Sequence, residues 1–369
     1  MELLLLLFLG LGGIAAMAMD GSEQDEVDTA PEDDGQWETI TGTEGNDTLS
    51  IAGADGPEGV SDLHIHEFSL AEWAIFPVGS QQYEDIVDPS QLDAGEGDDL
   101  IQVHDGASSV DAGAGNDTVT GSAASVTIVD AGTGDDLIDM SAGEAGHASS
   151  LVVSGTGADT FMGGEGEDWF FGTSSFNGEQ GTGGDIAYGN GGNDTLLGSY
   201  DADLIDGGDG DDFLSSVRDV VEYHPSEGSG FPNVDALDYA DSSADTLIGG
   251  EGNDTLTGDG MDVMTGGAGV DTFNAYLRPQ DPGEAVTVTD FDPETESLTL
   301  TIHFDEITTP PSHWDDALDW EAGIILDLME AGGDTLVQFE GETLAVLQGV
   351  TGVPASAVAG EVFMPYDRW

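Results

Sequence analysis

"GGEGNDTLTG", residues 249–258, sets three glycines, a Glu, an Asn and an Asp ahead of a single leucine. Aligned on its Gly-x-Asp core, the stretch is one copy of a nine-residue unit: two small residues, any residue, Gly, any residue, Asp, any residue, an apolar residue, any residue. Four copies run without a gap, "QGTGGDIAY" (180–188), "GNGGNDTLL" (189–197), "GSYDADLID" (198–206) and "GGDGDDFLS" (207–215). A second block, "ADSSADTLI", "GGEGNDTLT", "GDGMDVMT" and "GGAGVDTFN", fills 240–274, its third unit one residue short. A pair covers 154–171, and earlier copies stand alone: "GTEGNDTLS" (42–50), "AGEGDDLIQ" (94–102), "AGAGNDTVT" (112–120) and "AGTGDDLID" (131–139). Asp99, Asp117 and Asp136 lie 18 and 19 residues apart, two units per step, with short apolar alternations such as "SVTIV" (125–129) between them. That spacing fits a coil of two short strands and two turns in which only one side carries the acidic turn; in the later blocks both sides carry it. Self-similarity at a fixed period is the mark of a solenoid.

In each unit the eighth residue, such as Leu196, Leu214 or Leu256, sits in a short strand whose neighbouring side chains point outward. One inward residue cannot bury a core alone, but stacked coils build a continuous apolar column. The glycines admit backbone with φ > 0 and let carbonyl oxygens converge. Carboxylates and carbonyls are the hard oxygen ligands of Ca²⁺, which takes six to eight at about 2.3–2.6 Å. One turn supplies too few, so two turns stacked one coil apart must close the cage. The expected partners are Asp99 with Asp117, Asp117 with Asp136, Asp185 with Asp203 and Asp194 with Asp212. At 17 residues, Asp168 with Asp185, Asp245 with Asp262 and Asp254 with Asp271 need a shortened loop. Mg²⁺, which demands tighter octahedral geometry and keeps its waters, suits the arrangement less.

Charge points the same way. Three Lys+Arg stand against 76 Asp+Glu, a formal net charge of -73, and the three are arginines: Arg218, Arg278 and Arg368. Such a chain repels nucleic acid and anionic membrane surfaces, and it repels itself. With 38% hydrophobic residues at regular places, it reads as a folded protein that needs cations rather than as a disordered one. Cysteine is absent, which excludes disulfides and thiolate metal sites.

The unit resembles the RTX nonapeptide, glycine-glycine-x-glycine-x-aspartate-x-apolar-x, of hemolysin-type calcium-binding proteins of the type I secreted class. The resemblance implies an all-β fold, a right-handed parallel β-roll or β-helix solenoid with a β-rich C-terminal cap, holding several Ca²⁺ ions. It implies side-chain ligands at the sixth position: Asp47, Asp99, Asp117, Asp136, Asp159, Asp168, Asp185, Asp194, Asp203, Asp212, Asp245, Asp254, Asp262 and Asp271. Carbonyls at glycine positions complete the shell, here Gly189, Gly191, Gly192, Gly207, Gly210, Gly249, Gly252, Gly266 and Gly269. Some units depart. "GSYDADLID" has Asp201, and "ADSSADTLI" has Ser243, where the fourth glycine belongs, which predicts weaker or empty sites there; "QGTGGDIAY" puts Ala187 at the inward position.

The expected organisation is an apolar segment (1–19), an acidic linker (20–36), a calcium-binding roll (37–283) with an insertion near 216–239, and a cap or secretion region (284–369). The uncharged run 3–19 has three readings: a cleaved signal with Ala16–Met17–Ala18 as its small-residue site, a membrane anchor at the short limit of span length, or a buried segment. Membrane contact is expected only through this run. In the C-terminal part, "AVTVTDFDPETESLTLTIHF" (285–304) and "DTLVQFEGETLAVLQGV" (334–350) alternate apolar and polar residues, with turns at "DPET" and "EGE". They look like the tail that follows RTX repeats and should cap the open end of the roll.

Catalytic signatures are wanting. The chain has no "HExxH"; His64 and His66 in "HIHEF" read as surface histidines, since two ligands do not make a zinc site. "GTSSFNG" (172–178) is not a nucleophile elbow, and carboxylate pairs are too common here to signal glycosidase chemistry. The insertion "VVEYHPSEGSGFPNVD" (220–235), and the loops 53–90 and 305–320 with Trp73, Trp314 and Trp320, read as surface excursions. The sequence thus points to a secreted, extracellular calcium-binding module, structural or binding, rather than an enzyme. Two alternatives stay open: a polysaccharide-acting enzyme with its site on the insertion loops around Glu222 and His224, and a membrane-anchored cell-surface or matrix protein. A carbohydrate or cell-surface partner is left unnamed.

Overall fold

The computed structural model describes residues 39–52, 90–104, 108–121, 127–141, 149–172, 182–217, 243–277, 285–303 and 326–363. The apolar run 3–19, the linker 20–36, residues 218–239 of the insertion, and the loops 53–89 and 305–320 lie outside them.

Strands alternate between two sheets as the chain advances. β1 (Thr39–Thr41) pairs in parallel with β3 (Ser90–Asp93), while β2 (Thr48–Ala52) pairs in parallel with β4 (Leu100–His104). Continued through 25 strands, this yields one 12-stranded and one 13-stranded sheet. The fold is all-β, a parallel β-roll, as the repeat implies.

Strand alternation sends every second side chain inward, and the register aligns the inward residues into two columns. In one sheet Leu49, Ile101, Val119, Ile138, Phe161, Ala187, Ile205, Leu247, Met264 and Val288 follow one another. In the other the order is Ile40, Leu92, Val110, Val129, Val152, Phe170, Leu196, Leu214, Leu256, Phe273 and Leu298. All are buried. Ala187 is inward, as the alignment required. Its small side chain is the register partner of Phe161, whose ring stacks on Phe170 across the core at 5.3 Å between centroids, so a large residue beside a small one keeps the column filled.

Interruptions in sequence do not interrupt the stack. Leu204 pairs with Thr246 and Phe213 with Thr255, so the strands on either side of residues 218–242 are direct neighbours in register. After Leu277 the coil grammar relaxes but parallel pairing persists: β20 (Val286–Val288) and β21 (Ser297–His303) extend the two sheets. β25 (Val358–Phe363) then closes one sheet. β24 (Glu342–Leu347), β23 (Asp334–Phe339) and β22 (Asp327–Ala331) close the other as an antiparallel meander. The "EGE" turn is the β23–β24 hairpin, with Glu340 and Gly341 both at positive φ, the geometry that suits a two-residue hairpin. The last strand of the meander is largely exposed and carries Asp327 and Glu330, charges that discourage edge-to-edge pairing.

Leu256→Ala should cost roughly 2–5 kcal/mol, because it empties one place in a column that cannot collapse sideways. Thr255→Ala, on the outward face of the same strand, should stay within about 0.5 kcal/mol. Equilibrium urea denaturation of both variants checks the contrast.

Candidate metal-binding edges

The two sheets meet along two edges, and each edge carries a column of sixth-position aspartates. On the first edge Asp47, Asp99, Asp117, Asp136, Asp159, Asp185, Asp203, Asp245 and Asp262 stack in order. Each N–H in turn donates to Oδ1 of the next aspartate at 2.7–3.0 Å. On the second edge Asp168, Asp194, Asp212, Asp254 and Asp271 do the same at 2.8–2.9 Å. Both columns are buried. Below Asp168 the second edge changes chemistry: the hydroxyl and N–H of Ser150 donate to Asp168 Oδ1, and Thr127 and Ser108 hold the same register beneath. The early coils are therefore acidic on one side and the later coils on both.

Six of the seven expected pairs are neighbours in these columns. The seventh, Asp168 with Asp185, is corrected. Asp168 precedes a strand of one sheet and Asp185 a strand of the other, so they stand on opposite edges. Asp168 meets Asp194 and Asp159 meets Asp185, each 26 residues apart, and the strands that follow them pair in register. Counting residues assumed a coil of constant length; strand pairing imposes no such constraint.

The fifth position, taken as arbitrary in the sequence, forms a second ladder. Asn46 Oδ1 accepts the N–H of Asp98, Asp98 that of Asn116, Asn116 that of Asp135, and Asp135 that of Ala158. On the second edge Asn193, Asp211 and Asn253 accept from Asp211, Asn253 and Val270. The fifth-position side chain reaches forward one coil and the sixth reaches back, so adjacent turns are clasped from both sides. Asn alternates with Asp along both ladders, which spares the stack a run of like charges one strand spacing apart. The signal was present as an excess of Asn and Asp at that place in the unit.

The glycines shape the space around the carboxylates. A side chain at first-position Gly189, Gly207 or Gly249 would strike Oδ2 of its own turn's aspartate and the carbonyl oxygen of Gly207, Gly249 or Gly266 in the next coil. Fourth-position Gly192, Gly210, Gly252 and Gly269 have positive φ and stack on the carbonyl oxygen of the coil before. Gly191 differs: it occupies the third position, in register with Asp209 and Glu251, where a side chain fits. Glycines of the first edge, among them Gly113, Gly115, Gly132 and Gly134, repeat the positive-φ stacking; they carry the same sequence signal and belong with the candidate set. Asp201, in place of a fourth glycine, keeps that conformation at φ 81.

A carboxylate oxygen and a carbonyl oxygen thus face a gap that only glycine leaves open. The Oδ2 atoms of Asp99, Asp117, Asp136, Asp194, Asp212, Asp254 and Asp271 are buried without a hydrogen-bond partner, the condition that a hard cation relieves. Among the described residues no three carboxylates or imidazoles gather on one point, so a cation here must take main-chain carbonyls into its shell. Within that limit the residues fit Ca²⁺. Asp47, Asp168, Asp203 and Asp262 differ, since their Oδ2 atoms accept N–H groups of their own turns, from Thr43, Gly164, Ser199 and Asp259. Two of these turns belong to the irregular "GSYDADLID" and to the shortened unit, and two, those of Asp47 and Asp168, to regular units.

Without a cation, several aspartates of the columns keep their protons well above the usual carboxylate range. Burial, together with neighbouring aspartates, raises Asp99 and Asp254 to about 7, Asp136 and Asp185 to about 8 and Asp194 to about 9. No described residue is a lysine or arginine.

The chain carries RTX calcium-binding nonapeptide repeats: the family model for that repeat matches residues 34–50, 93–128, 151–175, 180–214 and 239–273. No curated protein matches the chain. Among solved structures, it is similar to the AlgE6R3 subunit of the Azotobacter vinelandii mannuronan C5-epimerase at 20% identity, covering 44% of this chain and 80% of that one, with a TM-score of 0.26. It is also similar to the extracellular lipase LipA of Serratia marcescens at 15% identity, covering 61% of this chain and 44% of that one, with a TM-score of 0.16.

The pH dependence follows from the raised carboxylates. An unfolded aspartate loses its proton near 3.8 and these folded, metal-free ones near 7 to 9. Folding therefore takes up protons between those values, and stability is full at low pH and lost as pH rises through the folded range. In chelator, the strand signal in far-UV circular dichroism should grow as pH is lowered from about 8 to about 5. In excess Ca²⁺ it should already be complete at the higher value.

Proposed function

We propose that this chain is an extracellular module that binds several Ca²⁺ ions along the two edges of its roll and folds as it binds them. The observation that carries the reading is the double column of buried aspartates with unpartnered Oδ2 atoms, in a chain of formal net charge -73. When bound, the cation would supply positive charge beside the unpartnered Oδ2 atoms and the carbonyl oxygens that face the same gaps. The chain's own residues do the rest. The sixth-position aspartates offer Oδ2, the glycine positions offer carbonyl oxygen and exclude side chains, and the fifth-position ladder holds consecutive turns at one strand spacing.

The order of events follows from the energetics. At low Ca²⁺ the carboxylates repel one another and the coils do not stack, which keeps the chain extended for export. In an exterior rich in Ca²⁺ the turns are neutralised and the apolar columns close, since metal binding and folding share one free energy. Residues 37–283 form the calcium-binding part, and 284–369 act as cap and export region. The role is that of a structural or binding module on the outside of the cell.

A Ca²⁺ titration of the full chain followed by far-UV circular dichroism tests this. Strand signal should rise cooperatively at about 10⁻⁴–10⁻³ M Ca²⁺, the usual range of extracellular modules, and not with Mg²⁺. Full strand signal in chelator at neutral pH would overturn the folding switch. Asp117→Asn should move the midpoint to higher Ca²⁺ while leaving the end-point spectrum unchanged.

A further inference from the structure

The two aspartate columns end differently. On the first edge the coil after Asp262 places Val286 in register, buried and apolar. On the second edge Thr272 pairs with Ser297, so the residue in register with Asp271 is Glu296, 9% exposed. If the column needed only a stop, an apolar residue would serve, as it does on the first edge.

Glu296 belongs to the non-repeat turn "TDFDPETE" (289–296), with acids at 290, 292, 294 and 296. The turn is built against the last repeat turn. Asp290 accepts the N–H groups of Gly266 and Gly267 at 3.0 and 2.8 Å, one through each oxygen. Asp292 N–H donates to Glu296 Oε2 at 2.7 Å, which folds the glutamate back over the turn. Phe291 anchors the segment edge-on to Phe273 in the core. The negative charges of Asp271, Asp290 and Asp292 all act on Glu296. Beneath it, Asp271 Oδ2 is 1% exposed as a residue, beside Gly266, and has no hydrogen-bond partner. A buried, unpartnered carboxylate oxygen in register with a second buried carboxylate, with no described cationic side chain to offset them, is the condition that a cation relieves.

We propose that Glu296 and Asp271 hold a hard divalent cation, Ca²⁺, at the C-terminal end of the second edge, so that the turn 289–296 completes a terminal site outside the nonapeptide pattern. The proposal rests on the calcium reading of the repeats.

The test is the number of ions retained by the full chain after equilibrium dialysis against Ca²⁺, read by atomic emission, for wild type, Glu296→Gln and Glu296→Val. Both variants should fold in Ca²⁺ and retain about one ion fewer per chain than wild type; Glu296→Val copies the apolar stop that Val286 provides. An unchanged ion count in a folded variant overturns the proposal. Failure of both variants to fold in Ca²⁺ also overturns it, since loss of a terminal site should be local. If wild type itself retains no ions, it is the calcium reading of the repeats that fails.

Discussion

Everything in this molecule turns on carboxylates stacked one strand spacing apart with no described basic side chain to balance them. Two unit charges about 4.8 Å apart repel by several kcal/mol at the intermediate dielectric of a protein edge. The columns repeat that contact eight times on one edge and four on the other. Main-chain N–H groups satisfy Oδ1 but leave Oδ2 of many aspartates buried and unanswered. The apolar columns pull the coils together while the acid columns push them apart. Protons or cations decide which prevails.

The rest of the architecture serves that balance. Leu196, Leu214 and Leu256 are spaced to fill one core while the aspartate two places before each is delivered to the edge. The first- and fourth-position glycines carry no side chain because a neighbouring coil's carbonyl occupies the place. Asn alternates with Asp at the fifth position, so the outer ladder adds hydrogen bonds without a continuous line of charge. At Asp47, Asp168, Asp203 and Asp262 the carboxylate turns its second oxygen to its own turn.

The ends of the roll show how a repeat is stopped. The antiparallel meander Asp327–Leu347 and the strand Val358–Phe363 finish the two sheets, and the turn 289–296 places its own acids against the final repeat. A solenoid without such ends would offer unpaired strands to a second copy.

How much of this was legible follows from what each feature depends on. Period, inward positions, the acidic turn and its oxygen-ligand chemistry are local properties of nine residues, so the sequence by itself determined the β-roll, the aspartate set and the one-sided acidity of the early coils. Three features were decided only by tertiary structure. Asp168 faces Asp194 rather than Asp185 because strand register, not residue count, sets which turns are stacked. The fifth-position ladder is invisible in one unit, since its acceptor and donor lie in different coils. Glu296 belongs to no repeat, and only parallel pairing of Thr272 with Ser297 carries it to the head of the aspartate column. Contacts between coils are made at a fixed distance in space but at any distance in sequence, and that is the part a linear reading cannot supply.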